Sequence, residues 1–250
     1  MTFVFNRRLS LLALALSLIF SPHQGAATAP AFQPWFDYRE SVRYAFDRQN
    51  TMTLAVGLGA LAVAHQEDPA ARAAYAHRGR LGSGESLAND VLGTGVPGVL
   101  LAGGFWSLGA QFNRPHAVRA GQAQLEALLA TFIFTSAAKL TSGRLRPDGS
   151  DSFSFPSGHT STVAASAMTL YEFYGWKAGV PGAALVILTA LSRVSAARHW
   201  LSDTVGGALI GVWTGHAIAQ AHLGQTLTLA RPVFQLVPEP GGMRLIAQFG

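Results

Sequence analysis

Three short blocks of polar residues carry the side chains that could do chemistry in this sequence. The first block contains Lys139 and Arg146, seven positions or two helical turns apart. Gly143 is placed to end a helix between them, and Pro147 holds Arg146 outside that helix. Two cations at one helix exit could bind an anion. Taken alone, cations that only complement the helix dipole are the simpler interpretation.

The second block is Pro156-Ser157-Gly158-His159-Thr160, directly before a stretch that we expect to be helical. Backbone N–H groups and the dipole at a helix N-terminus favour an anion, and Gly158 would let that anion approach closely. On its own the block is also a common turn with a histidine at the surface.

The third block contains Arg193, His199 and Asp203. His199 and Asp203 are spaced i and i+4, so on a helix the carboxylate can reach the imidazole and fix its tautomer. Arg193 supplies another cation. The pair by itself could equally be an ordinary contact on a helix surface.

The composition narrows the chemistry to these residue types. The chain has no cysteine, which excludes disulfides, thiolate catalysis and thiolate-bound metals. No other histidine has a partner at ligand spacing, so we expect neither a metal nor a cofactor. The excess of 18 Lys and Arg over 13 Asp and Glu gives a net charge of +5. This mild excess does not predict a nucleic-acid partner.

Long uncharged stretches must position the three blocks. They lie at 49–66, 91–113, 127–138, 159–171, 178–192 and 204–230. Most exceed ten residues and none alternates with a period of two, so six helices are predicted. The blocks then fall at the ends of the third, fourth and fifth helices.

The two ends of the chain differ from this helical part. Residues 1–27 are typical of a secretory signal peptide, with Arg7 and Arg8 before the apolar stretch Leu9–Phe20 and cleavage expected after Ala27. That stretch is shorter than the roughly 20 residues that span a bilayer, although an uncleaved anchor is the alternative. Residues 28–48 are predicted to be a surface approach segment, 49–223 a helical domain, and 224–250 a tail with a possible β-hairpin around 238–242.

The blocks read, in chain order, K-x(6)-R-P, P-S-G-H and S-R-x(5)-H-x(3)-D. This pattern resembles the type 2 phosphatidic-acid phosphatase and vanadium haloperoxidase superfamily over roughly residues 91–220. The resemblance implies an all-α six-helix bundle, here with a short hairpin-like tail. It also implies a phosphatase domain at 49–223.

The resemblance assigns catalytic roles to three residues. The position of His199 is that of a nucleophile that forms a phosphohistidine, and the position of Asp203 is that of the residue that orients it. The position of His159 is that of the acid that protonates the leaving alkoxide and then accepts a proton from water.

The resemblance also implies a phosphate-binding set. Its members are Lys139, Arg146, Ser157, Gly158 and Arg193, and no metal is needed. Phosphoryl transfer asks mainly for positioning and positive charge, which these residues can supply. Arg144 and Arg198 lie inside the blocks without matching the pattern. Either could contact a second phosphate of the substrate, but we expect both to be solvated.

Membrane association is predicted from the scarcity of charge, since 12% of residues are charged against roughly 25% in ordinary soluble proteins. The site is expected to face the periplasm. After a cleaved signal, three spans before Lys139 would put the site in the cytoplasm, so we expect that 49–66 does not cross. Glu126 and Glu172, inside helical stretches, instead favour a soluble exported acid phosphatase.

The leading functional prediction is a phosphatase for phosphate monoesters or pyrophosphates of lipids. A vanadate-dependent haloperoxidase is disfavoured, because those enzymes are typically much longer chains. A non-enzymatic membrane protein of the same fold is disfavoured by the intact set of candidate residues.

Overall fold

The computed structural model describes residues 38–78, 91–229, 233–239 and 242–248. The predicted signal peptide, the first ten residues of the 28–48 segment and the loop at 79–90 lie outside the described residues.

The described part of the chain is all-α apart from one hairpin, as predicted. The helices are α1 Tyr38–Ala45, α2 Arg48–Arg78, α3 Val96–Gln111, α4 Pro115–Ser142, α5 Gly158–Tyr174, α6 Trp176–Ser195 and α7 Leu201–Leu229. A single 3-10 turn, Leu92–Thr94, precedes α3. The strands β1 Val233–Glu239 and β2 Gly242–Gln248 pair antiparallel, with Glu239 opposite Gly242.

Two helix ends that border the predicted blocks are set by local sequence. Gly143 adopts the left-handed conformation at φ 57° and its N–H donates to the Lys139 carbonyl, which closes α4 where the sequence predicted. Ser157 caps the start of α5, because its side chain accepts a hydrogen bond from the Thr160 amide. The first and second blocks therefore leave the bundle at defined points.

Helix α7 lies at the centre of the bundle and packs against α1, α2, α4 and α5. Glycines allow its close approach to the start of α5. A Cβ at Gly207 would lie 2.4 Å from the Ser157 carbonyl oxygen, and one at Gly211 would lie 2.2 Å from that of Ser161. Larger residues would push α7 away from the second block.

Helix α2 runs antiparallel along α7. Near the start of α2, the Asn50 side-chain amide donates to the Trp213 carbonyl of α7. Further along α2, Asp68 accepts from the Ser202 amide at the start of α7. The helical rise between positions 50 and 68 is about 27 Å. The segment 49–66 therefore lies lengthwise in the bundle. Its contacts with α7 hold it alongside that helix.

Many alanines and threonines lie inside the bundle, and many large apolar residues are exposed on its outside. Ala120, Ala123 and Ala127 are fully buried, and a 2.6 Å hydrogen bond joins the hydroxyls of Thr131 and Thr214 across the interior. Exposed apolar side chains cover the outer faces, and they include Val56, Leu58, Val63, Leu100, Leu129, Phe132, Ile133, Val180 and Ile187. Within the described residues, one helix, Trp176–Ser195, is long and apolar enough to cross a membrane.

Both carboxylates that favoured a soluble protein have histidine partners. Glu172 accepts from His216 at 2.8 Å, and Glu126 lies 3.0 Å from His222. Pairing reduces the cost of burying a carboxylate, so these residues no longer weigh against membrane association.

Candidate active site

The three predicted blocks meet at one end of the bundle. The Ser157 amide donates to the Asp203 carbonyl at 2.9 Å, which joins the second block to the third. An Arg146 guanidinium nitrogen lies 3.3 Å from His199 Nε2, which joins the first block to the third. The fold thus brings together cations and imidazoles that are up to 60 positions apart in sequence.

His199 is buried, with 3% of its side chain exposed, in the turn between α6 and α7. Its Nδ1 lies 2.7 Å from the Ser154 carbonyl oxygen, which can only accept a hydrogen bond. The Arg146 guanidinium, which can only donate, faces Nε2. These partners assign the proton to Nδ1 and leave the Nε2 lone pair directed at the cationic side of the site.

The surroundings of His199 also favour its neutral form. Burial lowers the pKa of His199 below its ordinary value, and the charges of Arg193, Lys139 and Arg146 act in the same direction. Asp203 opposes this shift without cancelling it. A neutral imidazole with an available Nε2 lone pair is the form that can attack an electrophile.

Asp203 is fully buried in the first turn of α7. Its Oδ2 is 3.6 Å from His199 Nδ1, so the hydrogen bond expected between these two side chains goes to the Ser154 carbonyl instead. Oδ2 accepts hydrogen bonds from the Ser154 hydroxyl and the Trp200 amide. The carboxylate is therefore a fixed negative charge close to the imidazole, and the backbone of Ser154 sets the tautomer.

Arg146 is held by backbone and carboxylate partners on the loop after α4. Its Nε donates to Asp151 at 2.7 Å and one terminal nitrogen donates to the Arg198 carbonyl at 2.8 Å. These bonds fix the guanidinium beside His199.

Lys139 lies in the last turn of α4, outside the candidate span Trp176–Ser195. Its Nζ donates to the Phe153 carbonyl at 2.6 Å. Burial, together with the charges of Arg146 and Arg193, lowers the pKa of Lys139 to about 8. The ammonium is thus charged at neutral pH but loses its proton more readily than an exposed lysine.

Arg193, Ser157 and Gly158 surround the same end of the bundle. Arg193 is buried in the last turn of α6, and its carbonyl accepts the amides of Arg198 and His199, which shapes the turn that carries His199. Ser157 is fully buried as the N-cap of α5. A Cβ at Gly158 would lie 3.9 Å from the Lys139 side chain, which places the N-terminus of α5 against that cation.

His159 is the second residue of α5, and the 3-10 turn before α3 packs directly on it. A Cβ at Gly93 would lie 2.2 Å from His159 Cδ2 and 2.5 Å from its Cγ. Sequence reasoning missed Gly93. The only available signal was its place in a glycine-containing stretch, and that does not indicate which side chain it meets.

Arg144 and Asp68 also belong to the site and were missed. The expectation that Arg144 is solvated is wrong, because its two terminal nitrogens bind Asp203 at 2.8 Å and Asp68 at 2.7 Å. Both are buried carboxylates, Asp203 0% and Asp68 4% exposed, so they favour a paired guanidinium over a hydrated one. Arg198 is 43% exposed and pairs with Asp148 at the rim.

Within the described residues, no group of three or more His, Asp or Glu side chains could hold a metal ion. Lys139, Arg146 and Arg193 converge with the N-terminus of α5 around His199, beside the buried carboxylate of Asp203. This arrangement is suited to an anion with several oxygens, such as a phosphate.

Comparison with known proteins agrees with this geometry. Residues 123–226 match the PAP2 superfamily model. Over 83 residues the chain is 41% identical to the lipid A 1-phosphatase of Porphyromonas gingivalis. This alignment covers 32% of this chain and 19% of that protein. Over 55 residues it is 44% identical to the lipid A 4'-phosphatase of Helicobacter pylori. This alignment covers 22% of this chain and 28% of that protein.

The aligned segments span less than a third of either relative, and no solved structure matches the chain. The family match includes all three blocks, from Lys139 to Asp203, and the site that they form. Residues 123–226 are thus similar in sequence to the PAP2 superfamily.

Proposed function

We propose that this protein is a phosphatase that hydrolyses phosphate monoesters or pyrophosphates of lipids through a phosphohistidine intermediate, without a metal ion. The observation that carries the proposal is the assignment of the two nitrogens of His199. Nδ1 is committed to the Ser154 carbonyl, and the Nε2 lone pair faces Arg146 and the cationic pocket. A phosphate bound by those cations would present its phosphorus to Nε2.

In the first step, His199 Nε2 attacks phosphorus and the bond from phosphorus to the leaving oxygen breaks. His159 gives its proton to that oxygen, so the alcohol leaves neutral. In the second step, His159 takes a proton from water, the water oxygen attacks phosphorus, and the bond to Nε2 breaks. Inorganic phosphate is released and both imidazoles return to their starting forms.

Asp203 supports the charge that develops on His199. Phosphorylation of Nε2 leaves the ring positively charged while Nδ1 keeps its proton. The Asp203 carboxylate at 3.6 Å stabilises that charge more than it stabilises the neutral ring. The residue therefore favours the phosphoenzyme, and the transition state that leads to it, over the free enzyme.

The non-bridging oxygens are held by Lys139, Arg146 and Arg193 together with the N-terminus of α5. These groups are already fixed by the protein, for example by the bonds from Arg146 to Asp151 and from Lys139 to Phe153. Donors that do not reorganise during the reaction are the main source of rate enhancement in phosphoryl transfer.

Two observations support a lipid substrate. Both relatives are named as lipid A phosphatases, although each shares only part of its length with this chain. The outer faces of α2, α3, α4 and α6 also carry exposed large apolar side chains. Such a surface on a folded bundle suits acyl chains better than water.

We place the protein in the inner membrane with the site end at the periplasmic surface. A soluble periplasmic acid phosphatase is the alternative, and the exposed apolar faces argue against it.

The proposal is tested by replacing the nucleophile. We expect His199→Ala to lower phosphate release from a lipid phosphate monoester by at least about 10³-fold, because no phosphoenzyme can form. His222→Ala, which removes a histidine near the far end of α7, serves as the matched control and should retain activity. A folded His199→Ala variant with a substantial fraction of wild-type activity would overturn the assignment.

A further inference from the structure

Asp68 is a buried carboxylate that the proposed reaction does not use. It lies on α2, outside the three blocks and outside the segment that matches the PAP2 model. Its Oδ1 accepts from the Ser202 amide at 2.9 Å and its Oδ2 from the Ser202 hydroxyl at 2.7 Å. The exposed imidazole of His65 lies 3.3 Å away.

Arg144 connects this carboxylate to the proposed catalytic pair. One terminal nitrogen donates to Asp68 at 2.7 Å, and the other donates to Asp203 at 2.8 Å and to the Ser202 hydroxyl at 2.6 Å. The guanidinium carbon lies 5.4 Å from the centre of the Trp200 ring. Both terminal nitrogens are thus bound to buried carboxylates, so the charge of Arg144 is already paired within the protein.

The two oxygens of Asp203 consequently have different surroundings. Oδ1 is bound by Arg144, whereas Oδ2 faces His199 and accepts from the Trp200 amide at 2.8 Å. A carboxylate rotates readily unless both oxygens are fixed. Arg144 fixes the oxygen that points away from His199, and Asp68 in turn fixes Arg144.

We propose that Asp68 and Arg144 are positioning residues. Together with Asp203 they form a carboxylate–guanidinium–carboxylate network that holds Asp203 Oδ2 towards His199. The inference rests on the proposed function. It makes α2 part of the active site although the helix carries none of the matched motif residues. Asp203 stabilises the charge that His199 gains during the reaction. The Asp68–Arg144–Asp203 network therefore affects turnover and not the binding of phosphate.

The test uses Asp68→Asn in the full-length protein, which keeps the shape of the side chain but removes its charge. We expect kcat for a lipid phosphate monoester to fall about 10-fold or more, because small displacements of a catalytic group have large effects on rate. The inhibition constant of inorganic phosphate should stay within about twofold of wild type, because Lys139, Arg146 and Arg193 are unchanged.

A double-mutant cycle separates positioning from general damage. Asp68→Asn should cause no further loss in a chain that already carries Asp203→Asn, since the first residue acts through the second. Asp47→Asn is the matched control. It removes a carboxylate near the start of α2, which pairs with His216 and accepts from the Asn50 amide, but has no link to Asp203.

Several results would overturn the inference. These are a kcat of Asp68→Asn within twofold of wild type, losses that add in the double variant, and an equal loss in Asp47→Asn. If Asp68→Asn does not fold, Arg144→Lys tests the same link, since lysine cannot bind both carboxylates in the fork geometry of arginine. The proposed function is tested separately. It holds if the wild-type protein hydrolyses the lipid phosphate monoester and the His199→Ala variant does not, whatever the outcome for Asp68→Asn.

Discussion

Gly93 offers a sharp test of the role of His159, because the two residues are in direct contact. A Cβ added at Gly93 would lie 2.2 Å from His159 Cδ2, 2.5 Å from its Cβ and 2.5 Å from its Cγ. The atoms at the base of the imidazole cannot move aside by a simple rotation of the ring. In Gly93→Ala, either the 3-10 turn or the start of α5 must therefore shift.

The size of the effect follows from that distance. Carbon atoms in contact prefer a separation of about 3.5 Å or more, so the pair must separate by about 1.3 Å. A displacement of about 1 Å at a catalytic group can cost 10²-fold in rate, which corresponds to about 2.7 kcal/mol of activation free energy. We expect Gly93→Ala to slow phosphoenzyme formation from a lipid or alkyl phosphate by about 10²-fold.

The assay compares leaving groups by rapid quench. An alkyl oxygen needs a proton in the transition state, whereas p-nitrophenolate leaves with little help. The first step should therefore be slowed far more for the alkyl ester than for p-nitrophenyl phosphate. In a His159→Ala background the contacts with the ring are gone and only the contact with Cβ remains, so Gly93→Ala should cause a much smaller loss there.

Gly103→Ala is the matched control, because it lies in α3 and its added Cβ would meet nothing within 4 Å. It should keep full activity, since alanine is the better helix former. Equal losses for the alkyl and aryl esters in Gly93→Ala would refute the reasoning. So would an undiminished loss in the His159→Ala background, because Gly93 would then act through something other than the proposed acid.

Two further predictions concern the cations and the absence of a metal. The value of kcat/KM should fall as pH rises through about 8, because Lys139, whose pKa burial lowers to about 8, then loses its positive charge. Lys139→Arg should remove this fall in activity at high pH, whereas the control Lys177→Arg, at the other end of the bundle, should not. If the fall is unchanged in Lys139→Arg, a group other than Lys139 causes it. Activity should persist in excess EDTA and be inhibited by orthovanadate, which resembles the trigonal-bipyramidal transition state; a loss in EDTA that a divalent cation restores would contradict the metal-free mechanism.

Local sequence was sufficient to predict the helices around the site. The uncharged stretches predicted the six long helices, since helices form where a continuous run of residues favours them. Gly143 ends α4 and Ser157 caps α5, both by interactions within a few residues. The predicted boundary at 66 was too early for α2, which continues to Arg78 through the charged residues Glu67 and Asp68.

Contacts between distant segments could not be obtained in this way. The expected solvation of Arg144 followed from its lack of a motif role, but its partners Asp68 and Asp203 lie 76 and 59 positions away. The partner of His199 Nδ1 was also assigned to Asp203, because i to i+4 spacing suggests a contact on a helix. The turn at 196–200 is not helical, and the Ser154 carbonyl takes that position.

The sequence by itself determined the all-α class and the three motif blocks, because helix formation and motif spacing depend on residues that are near each other in the chain. Only the tertiary structure decided which nitrogen of His199 carries the proton, where Arg144 is bound, and that α2 and the turn containing Gly93 border the site. Each of these depends on the distance and direction between groups on different helices. Those quantities are set by packing, through close approaches such as that of Gly207 to Ser157.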